Sequence, residues 1–268
     1  MSTLIRPLVM GILNVTPDSF SDGGAHFTFA DAIKRSKEMI SESVDIIDVG
    51  GESTRPGAVR ISFEEERDRV IPVITELKEL GAVISVDTMR ASIAQAAIAA
   101  GATYVNDVSG GLADPDMANL ISQNPKIQYI AMHWRGHSDR MNELAIYDDV
   151  VAEVRDELDN RVTALLKAGV NPEQIIIDPG LGFAKDSEHN WELLRNLDRL
   201  ALLGYPILVG ASRKRFLGAL IESNTTDGRE NASVVITSLL TKSGVWGVRT
   251  HSVKAHQEAI TIALELSK

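Results

Sequence analysis

Eight places along the chain carry polar or charged side chains directly after a short apolar run. Asn14 follows LVMGIL, and Gly50-Gly51-Glu52-Ser53-Thr54-Arg55-Pro56 follows VDIIDV. Asp87 ends AVISVD, Asn106-Asp107 ends ATYVND, His133 follows KIQYIAM, and Asp178 ends QIIID. Arg213-Lys214-Arg215 comes after PILVGAS, and Arg249 and His251 close GVWGVRTH. Two carboxylates (Asp87, Asp178), an amide (Asn106) and an ammonium (Lys214) suit a flat polar heterocycle with several donors and acceptors. Such a site is selective because a wrong ligand leaves directed polar groups unpaired. Arg249, His251 and the amide of Asn14 suit an anion, with a divalent metal as an option, through charge-assisted hydrogen bonds.

Taken singly, an Asp or Asn after a strand is an ordinary turn residue or helix cap. Asp87 and Asp107 could each simply start a helix. What argues for a site is repetition, since capping has no need to gather acids, amides and cations at one end of every strand. Two blocks are also odd for capping. SRKRF packs three cations together in an acidic chain, and VRTHS spaces Arg249 and His251 so that a strand points both to one face.

The elements that must position these residues follow from hydrophobic pattern. Strands are expected near 8–13, 44–49, 82–87, 102–106, 127–133, 174–178, 206–210 and 244–249. Amphipathic helices are expected at 28–42, 64–79, 90–100, 115–123, 148–168, 188–201, 229–243 and 252–267. Asp87-Thr88 and Asp114-Pro115 read as helix starts, and Gly81, Gly101, Gly169 and Gly204 as helix ends. Strands alternating with helices pair in parallel, because parallel neighbours need a crossover. Eight such units in this length give a single (β/α)8 TIM barrel, one domain over 1–268, with its active site at the C-terminal rim of the strands. An open doubly wound sheet is the alternative. Two rim connections, 15–27 and 50–63, are long enough to be lids or binding loops.

The 268 residues are 44% apolar, ample for a core, and the net charge of −10 argues against nucleic acid as a partner. Cysteine is absent, which removes disulfides and thiolate metal sites. No apolar run approaches the ~18 residues of a membrane span, so the expected location is cytoplasmic. Neither a P-loop nor a GxGxxG pattern is present. His133 and His137, four residues apart after a strand, do not read as a zinc pair on a helix. Trp134 and Trp191 read as packing, His256 as surface, and Arg67 and Arg69 in EEERDR as a solvated helix face.

The blocks NVTPDSFSDGG, VGGESTRPGA, SVDTMR, NDVSGG, DPGLGFAK, GASRKRFLG and RTH, in this order from about residue 8 to 266, resemble the motif set of the dihydropteroate synthase family. The resemblance implies a (β/α)8 homodimer that joins 6-hydroxymethyl-7,8-dihydropterin diphosphate to p-aminobenzoate and releases pyrophosphate. It implies pterin contacts from Asp87, Asn106, Asp178 and Lys214, with Met132 and Phe183 nearby. It implies Mg2+ on Asn14, and diphosphate anchoring by Arg249 and His251 with Thr54 and Arg55. It implies a p-aminobenzoate pocket from Pro56, Phe183, Lys214 and Arg215, and early C–O cleavage to a pterin cation. Asp87, Asp178, Lys214, Arg249 and His251 would be the catalytic set. Ser252 stands where the family commonly has Asp; serine still suits a helix cap, and losing a carboxylate beside His251 is expected to loosen that ring. The alternatives are a pterin-binding methyltransferase domain, which has no use for SRKRF or RTH, and a non-catalytic pterin-binding relative, which tends to lose anchor residues where this chain keeps Asn14, Lys214, Arg249 and His251.

Overall fold

The computed structural model describes residues 5–16, 28–53, 60–137, 140–141, 143–223 and 225–268. Most of the first long loop, and Thr54, Arg55 and Pro56 of the second, lie outside these residues. Eight strands run through the chain: β1 Leu8–Asn14, β2 Ile46–Gly50, β3 Ile84–Asp87, β4 Tyr104–Asp107, β5 Gln128–Met132, β6 Ile175–Asp178, β7 Leu208–Val209 and β8 Gly247–Thr250. All pair in parallel in the order β6-β5-β4-β3-β2-β1-β8-β7. A parallel bridge between Ile177 and Ile207 joins β6 to the start of β7 and closes the ring. That closure decides for the barrel over the open sheet.

Helices alternate with the strands: α1 Phe29–Ser41, α2 Phe63–Glu79, α3 Ala91–Ala100, α4 Met117–Ser122, α5 Val150–Lys167, α6 Ser187–Arg195, α7 Leu197–Ala201, α8 Arg215–Ile221, α9 Glu230–Lys242 and α10 Val253–Glu265. Gly81, Gly101, Gly169 and Gly204 follow helix ends as expected. Side chains start several of them; Ser62 accepts from the Glu65 N–H and Asp149 from Val151 and Ala152. The expected helix 188–201 is two, parted at Asn196, whose side chain bonds back to the Glu192 carbonyl. Helix α8 is an addition. Its seven residues, with Gly218 in the middle, are too short for a periodic signal. Among the described residues no helix is long and apolar enough to cross a membrane.

Three expectations about helix starts and faces are corrected. Helix α3 begins after Arg90, not at Asp87-Thr88, and the Ala91 N–H is received by Asp114. Helix α4 begins at Met117, with Asp114 bonded to the Asp116 N–H in the turn before it. The EEERDR run is solvated only in part. Arg67 is exposed, but Arg69 donates to the Gly51 carbonyl at 2.9 Å, and Glu66 is buried, accepting from Thr88 and Arg90. A carboxylate facing the barrel needs such partners, because burial otherwise penalises its charge.

Most of the core lies between the strands and the helix ring, where Val9, Ile47, Val49, Val86, Val105 and Ile177 point outward. The alternate residues of the same strands point into the barrel. There Met10, Ile46, Ile130, Ile176 and Leu208 form an apolar floor, backed by Leu8, Tyr104 and Trp246. The next inward positions toward the C-terminal ends turn polar or to glycine on four strands, at Asp48, Asn106, Asp178 and Gly210, while Ile12 and Met132 stay apolar, and that change of character defines the mouth.

Candidate active site

Parallel register sets which inward side chains share a level. Asn14 of β1 pairs with Gly50 of β2, Gly50 with Asp87 of β3, and Asp87 with Asn106 of β4. Met132 of β5 pairs with Asp178 of β6. Arg249 of β8 pairs lower, with Met10, so its long side chain rises from the floor toward the acids above it.

Arg249 is the hub. Its Nε donates to Asp48 Oδ2 at 2.6 Å and its Nη2 to Asp87 Oδ2 at 2.7 Å. Asp48 Oδ2 also accepts from Asn106 Nδ2 at 2.9 Å. One guanidinium therefore ties β8 to β2 and β3, and the amide ties in β4. Charge-assisted bonds of this kind are about twice as strong as neutral ones, and a planar fork fixes direction as well. Burial pushes the Asp87 carboxyl up to about 7, against the pull of Arg249. Burial likewise raises Asp178, against the opposing charge of Lys214.

The facing wall is built on β6, β7 and the turns after them. A Cβ placed on Gly210 would lie 3.8 Å from Lys214 Nζ, 3.8 Å from Arg249 Cβ and 4.0 Å from Asp178 Oδ2. The glycine thus leaves clear the spot where those three residues meet. Gly50 does the same on the other side, 3.5 Å from Asn14 Oδ1 and 3.6 Å from Asp87 Oδ2 by the same measure. Asp178 Oδ1 accepts the Gly180 N–H at 2.7 Å. Lys214 Nζ donates to the Leu181 carbonyl and stands 5.1 Å from the centre of the Phe183 ring. Burial pushes the Lys214 ammonium down to about 8, with Asp178 opposing.

The sequence-predicted residues fall into four groups. Asn14, Asp87, Asn106, Asp178, Phe183, Lys214 and Arg249 share the mouth, and Met132 lies beneath the β6 turn, its Cγ 3.4 Å from a Cβ built on Gly180. His251 sits at the rim just past β8; its Nδ1 is 3.0 Å from Ser212 Oγ, and its main-chain N–H donates to the same hydroxyl at 3.2 Å. Arg215 opens α8 and is exposed. Thr54, Arg55 and Pro56 lie outside the described residues.

Two expectations change. Ser252 makes no cap bond to α10; its hydroxyl accepts from Arg213 Nη2 at 3.0 Å, while His251 is held by Ser212. His256 is not at the surface. It is 2% exposed, its Nδ1 2.7 Å from Thr237 Oγ1 and its Nε2 3.3 Å from Glu230 Oε1, because α10 packs on α9. Asp107 proves structural: it accepts from the Ser109 N–H and hydroxyl, the Gly111 N–H and the Tyr129 hydroxyl.

Asp48 is the residue that sequence reasoning missed. It is fully buried inside the strand IIDVG, so it reads as one polar letter in an apolar run. The signal that finds it is parity: Asp48 lies two residues before Gly50, on the inward face that ends at the rim. Asp48→Asn keeps the shape and removes the charge that balances Arg249. It should weaken binding of a flat polar heterocycle at the mouth by about tenfold or more, roughly 1.4 kcal/mol, with the fold retained by circular dichroism. Calorimetric affinity within about twofold of the parent would overturn this role.

The geometry on its own describes a polar pocket at the barrel mouth, with carboxylates and an amide set against the Arg249 and Lys214 cations and His251 at its edge. Comparison with known proteins agrees. Residues 10–251 match the model of the pterin binding enzyme family. The chain is 49% identical to the dihydropteroate synthase of Mycobacterium leprae over 95% of its own length and 91% of that protein's. It is 43% identical to the Synechocystis enzyme over 96% and 89%. Among solved structures, Xanthomonas albilineans dihydropteroate synthase with 4-aminobenzoic acid aligns with a TM-score of 0.91 and 41% identity, covering 98% of this chain and 94% of the other. The same enzyme in complex with 7,8-dihydropteroate aligns with a TM-score of 0.88 and 38% identity, covering 99% and 95%. With the mouth, the motif order and these relatives in agreement, the chain belongs to the pterin-binding enzyme family and, within it, to the dihydropteroate synthases, which are transferases.

Proposed function

We propose that this chain condenses 6-hydroxymethyl-7,8-dihydropterin diphosphate with p-aminobenzoate, as a magnesium-dependent cytoplasmic homodimer, by early C–O cleavage to a pterin cation. The observation that carries the reading is the meeting of Asp87, Asn106, Asp178, Lys214 and Arg249 at one barrel mouth. The flat pterin ring carries donors and acceptors along its edge, and these residues offer acceptors on two sides and cations between them. Asp87 and Asp178 stabilise positive charge on the ring as the C–O bond lengthens. Arg249 and His251 face the leaving diphosphate, and the relatives solved with 4-aminobenzoic acid and with 7,8-dihydropteroate support the two substrate classes. The attacking amine of p-aminobenzoate is neutral at pH 7, so it needs no covalent enzyme intermediate.

The donor set fits Mg2+ of a particular kind. Among the described residues no three His, Cys, Asp or Glu side chains are grouped to hold a metal. Asn14 places one hard oxygen at the rim beside Asp87. Mg2+ keeps several waters and is commonly held by one or two protein oxygens plus substrate phosphates, so Asn14 would hold an ion that arrives with the diphosphate. When bound, it would neutralise charge on the leaving group. For the homodimer, the supporting surface is a row of exposed apolar side chains, Val235 and Leu239 on α9 and Ile262 on α10, two helices that pack together.

Mixing both substrates with Mg2+ should release pyrophosphate and 7,8-dihydropteroate, and no release from a folded enzyme would overturn the reading. Asp178→Asn should lower kcat/KM for the pterin diphosphate by about 100-fold or more; a loss of only a few-fold removes Asp178 as a pterin anchor. The Lys214 ammonium is complete well below pH 8 and is lost as pH rises through about 8. So kcat/KM for the pterin substrate should fall above that pH, and Lys214→Arg should move the fall upward; a flat profile to pH 9.5 in the parent contradicts the role. Between about 8 and 10.5 the unfolded chain still holds a proton that the folded chain has released, so this group's contribution to stability rises with pH there. Light scattering should give twice the monomer mass, with Leu239→Glu shifting it to monomer; a monomeric parent at micromolar concentration refutes the dimer.

A further inference from the structure

The turn after β6 carries Asp178 at one end and Phe183 near the other, and its backbone conformation is unusual. Gly180, Gly182 and Ala184 all lie in the left-handed region, with φ of 68°, 76° and 47°. A Cβ on Gly180 would stand 2.4 Å from the His133 carbonyl oxygen, so the chain passes there with no room for a side chain. Ala184 has a Cβ, and this conformation is disfavoured for it. Something must hold the turn.

One buried ammonium does. Lys185 is 9% exposed, and its Nζ donates to the Gly180 carbonyl at 3.1 Å and the Phe183 carbonyl at 3.0 Å, and lies 2.8 Å from His133 Nδ1. An ammonium has three donors and no acceptor. Burial pulls the Lys185 amine well below its ordinary value, with Asp178 and Glu157 opposing, but all three groups it meets can accept a donor, so the geometry is that of an ammonium with His133 Nδ1 as the accepting nitrogen. The ring proton then sits on Nε2 and is donated to Glu157 Oε2 at 2.9 Å. Glu157 is fixed in turn by Arg135 from 2.5 Å, and the Arg135 guanidinium lies 3.8 Å from the centre of the Tyr147 ring. Burial holds His133 down to about 4, which keeps the ring neutral and Nδ1 free of a proton. The main-chain N–H of His133 also donates to the Asp178 carbonyl at 2.9 Å.

We propose that Lys185 and His133 act as one positioning unit that folds the Asp178–Phe183 turn and so aims the Asp178 carboxylate and the Phe183 ring at the pterin. The ammonium gathers the two carbonyls of the turn, the imidazole receives the third donor, and Glu157 fixes the tautomer that allows it. Neither residue touches substrate in this arrangement. The proposal rests on the reading of the mouth as a pterin site and adds the device that shapes one wall of it.

The test is calorimetric titration with 6-hydroxymethylpterin, without diphosphate, on the full chain. Lys185→Met and His133→Leu should each weaken binding by about tenfold or more, with far-UV circular dichroism retained. The double variant should bind no worse than the weaker single one, since residues that act as a unit are non-additive. His133→Asn keeps an oxygen near the place of Nδ1 to accept from the ammonium, and should stay within about threefold of the parent. A merely structural role would lower the melting temperature and leave the affinity of folded protein unchanged. Folded Lys185→Met or His133→Leu binding within about twofold of the parent overturns the proposal, as does independent addition of the two losses. If Lys185→Met does not fold, His133→Leu and His133→Asn decide, and equal losses in both overturn it. A parent chain that binds no pterin defeats the pterin reading of the mouth.

Discussion

Three carboxylates placed inside a barrel must be balanced from within it, and this constraint governs the structure. Asp48 is fully buried, and Asp87 and Asp178 stand at the mouth above an apolar floor. The Arg249 guanidinium reaches two of the three, and Lys214 faces the third. A buried ion pair contributes little net stability but is costly to break, because one charge is then left without a partner. The arrangement therefore specifies geometry more than it stabilises the fold. It orients the carboxylates toward the mouth before substrate arrives, which is what electrostatic preorganisation requires.

Arg249 can reach both acids because it begins low. It pairs with Met10 at floor level, while Asp87 stands level with Asn106 at the strand end. A shorter cation at that position would not bridge the gap. The two inward glycines complete the design by subtraction. Gly50 and Gly210 leave space beside Asn14 and Asp87 on one side, and beside Asp178 and Lys214 on the other.

Behind the mouth lies a layer of residues that never meet it. Arg90 links Glu52 and Glu66 and donates to the Ile61 carbonyl at 2.6 Å, fixing both stems of the second long loop. Arg213, held at a φ of 58°, donates to Glu230 and Ser252, and so fixes the turn that carries Lys214. His256 braces Glu230 from α10. Precise sites need such supports, since a mouth residue is only as well placed as the turn that carries it. The same layer explains why Ser252 need not act on His251: its partner is Arg213, and Ser212 takes the imidazole.

The amino-acid sequence by itself determined the eight strands, most helices and the residues at the strand ends, because period-two and period-3.6 patterns are local and the polar endings recur. It also carried the ordered motifs that mark the family. It did not reveal Asp48, whose partner Arg249 lies 201 residues away, nor α8, too short to show a period. It misread His256, because whether a helix position faces solvent or a neighbouring helix depends on packing. Barrel closure, the sharing of one guanidinium by two acids and the burial of Lys185 against His133 were decided by tertiary structure alone. Each joins distant parts of the chain, and only three-dimensional proximity excludes the water that would otherwise screen their charges.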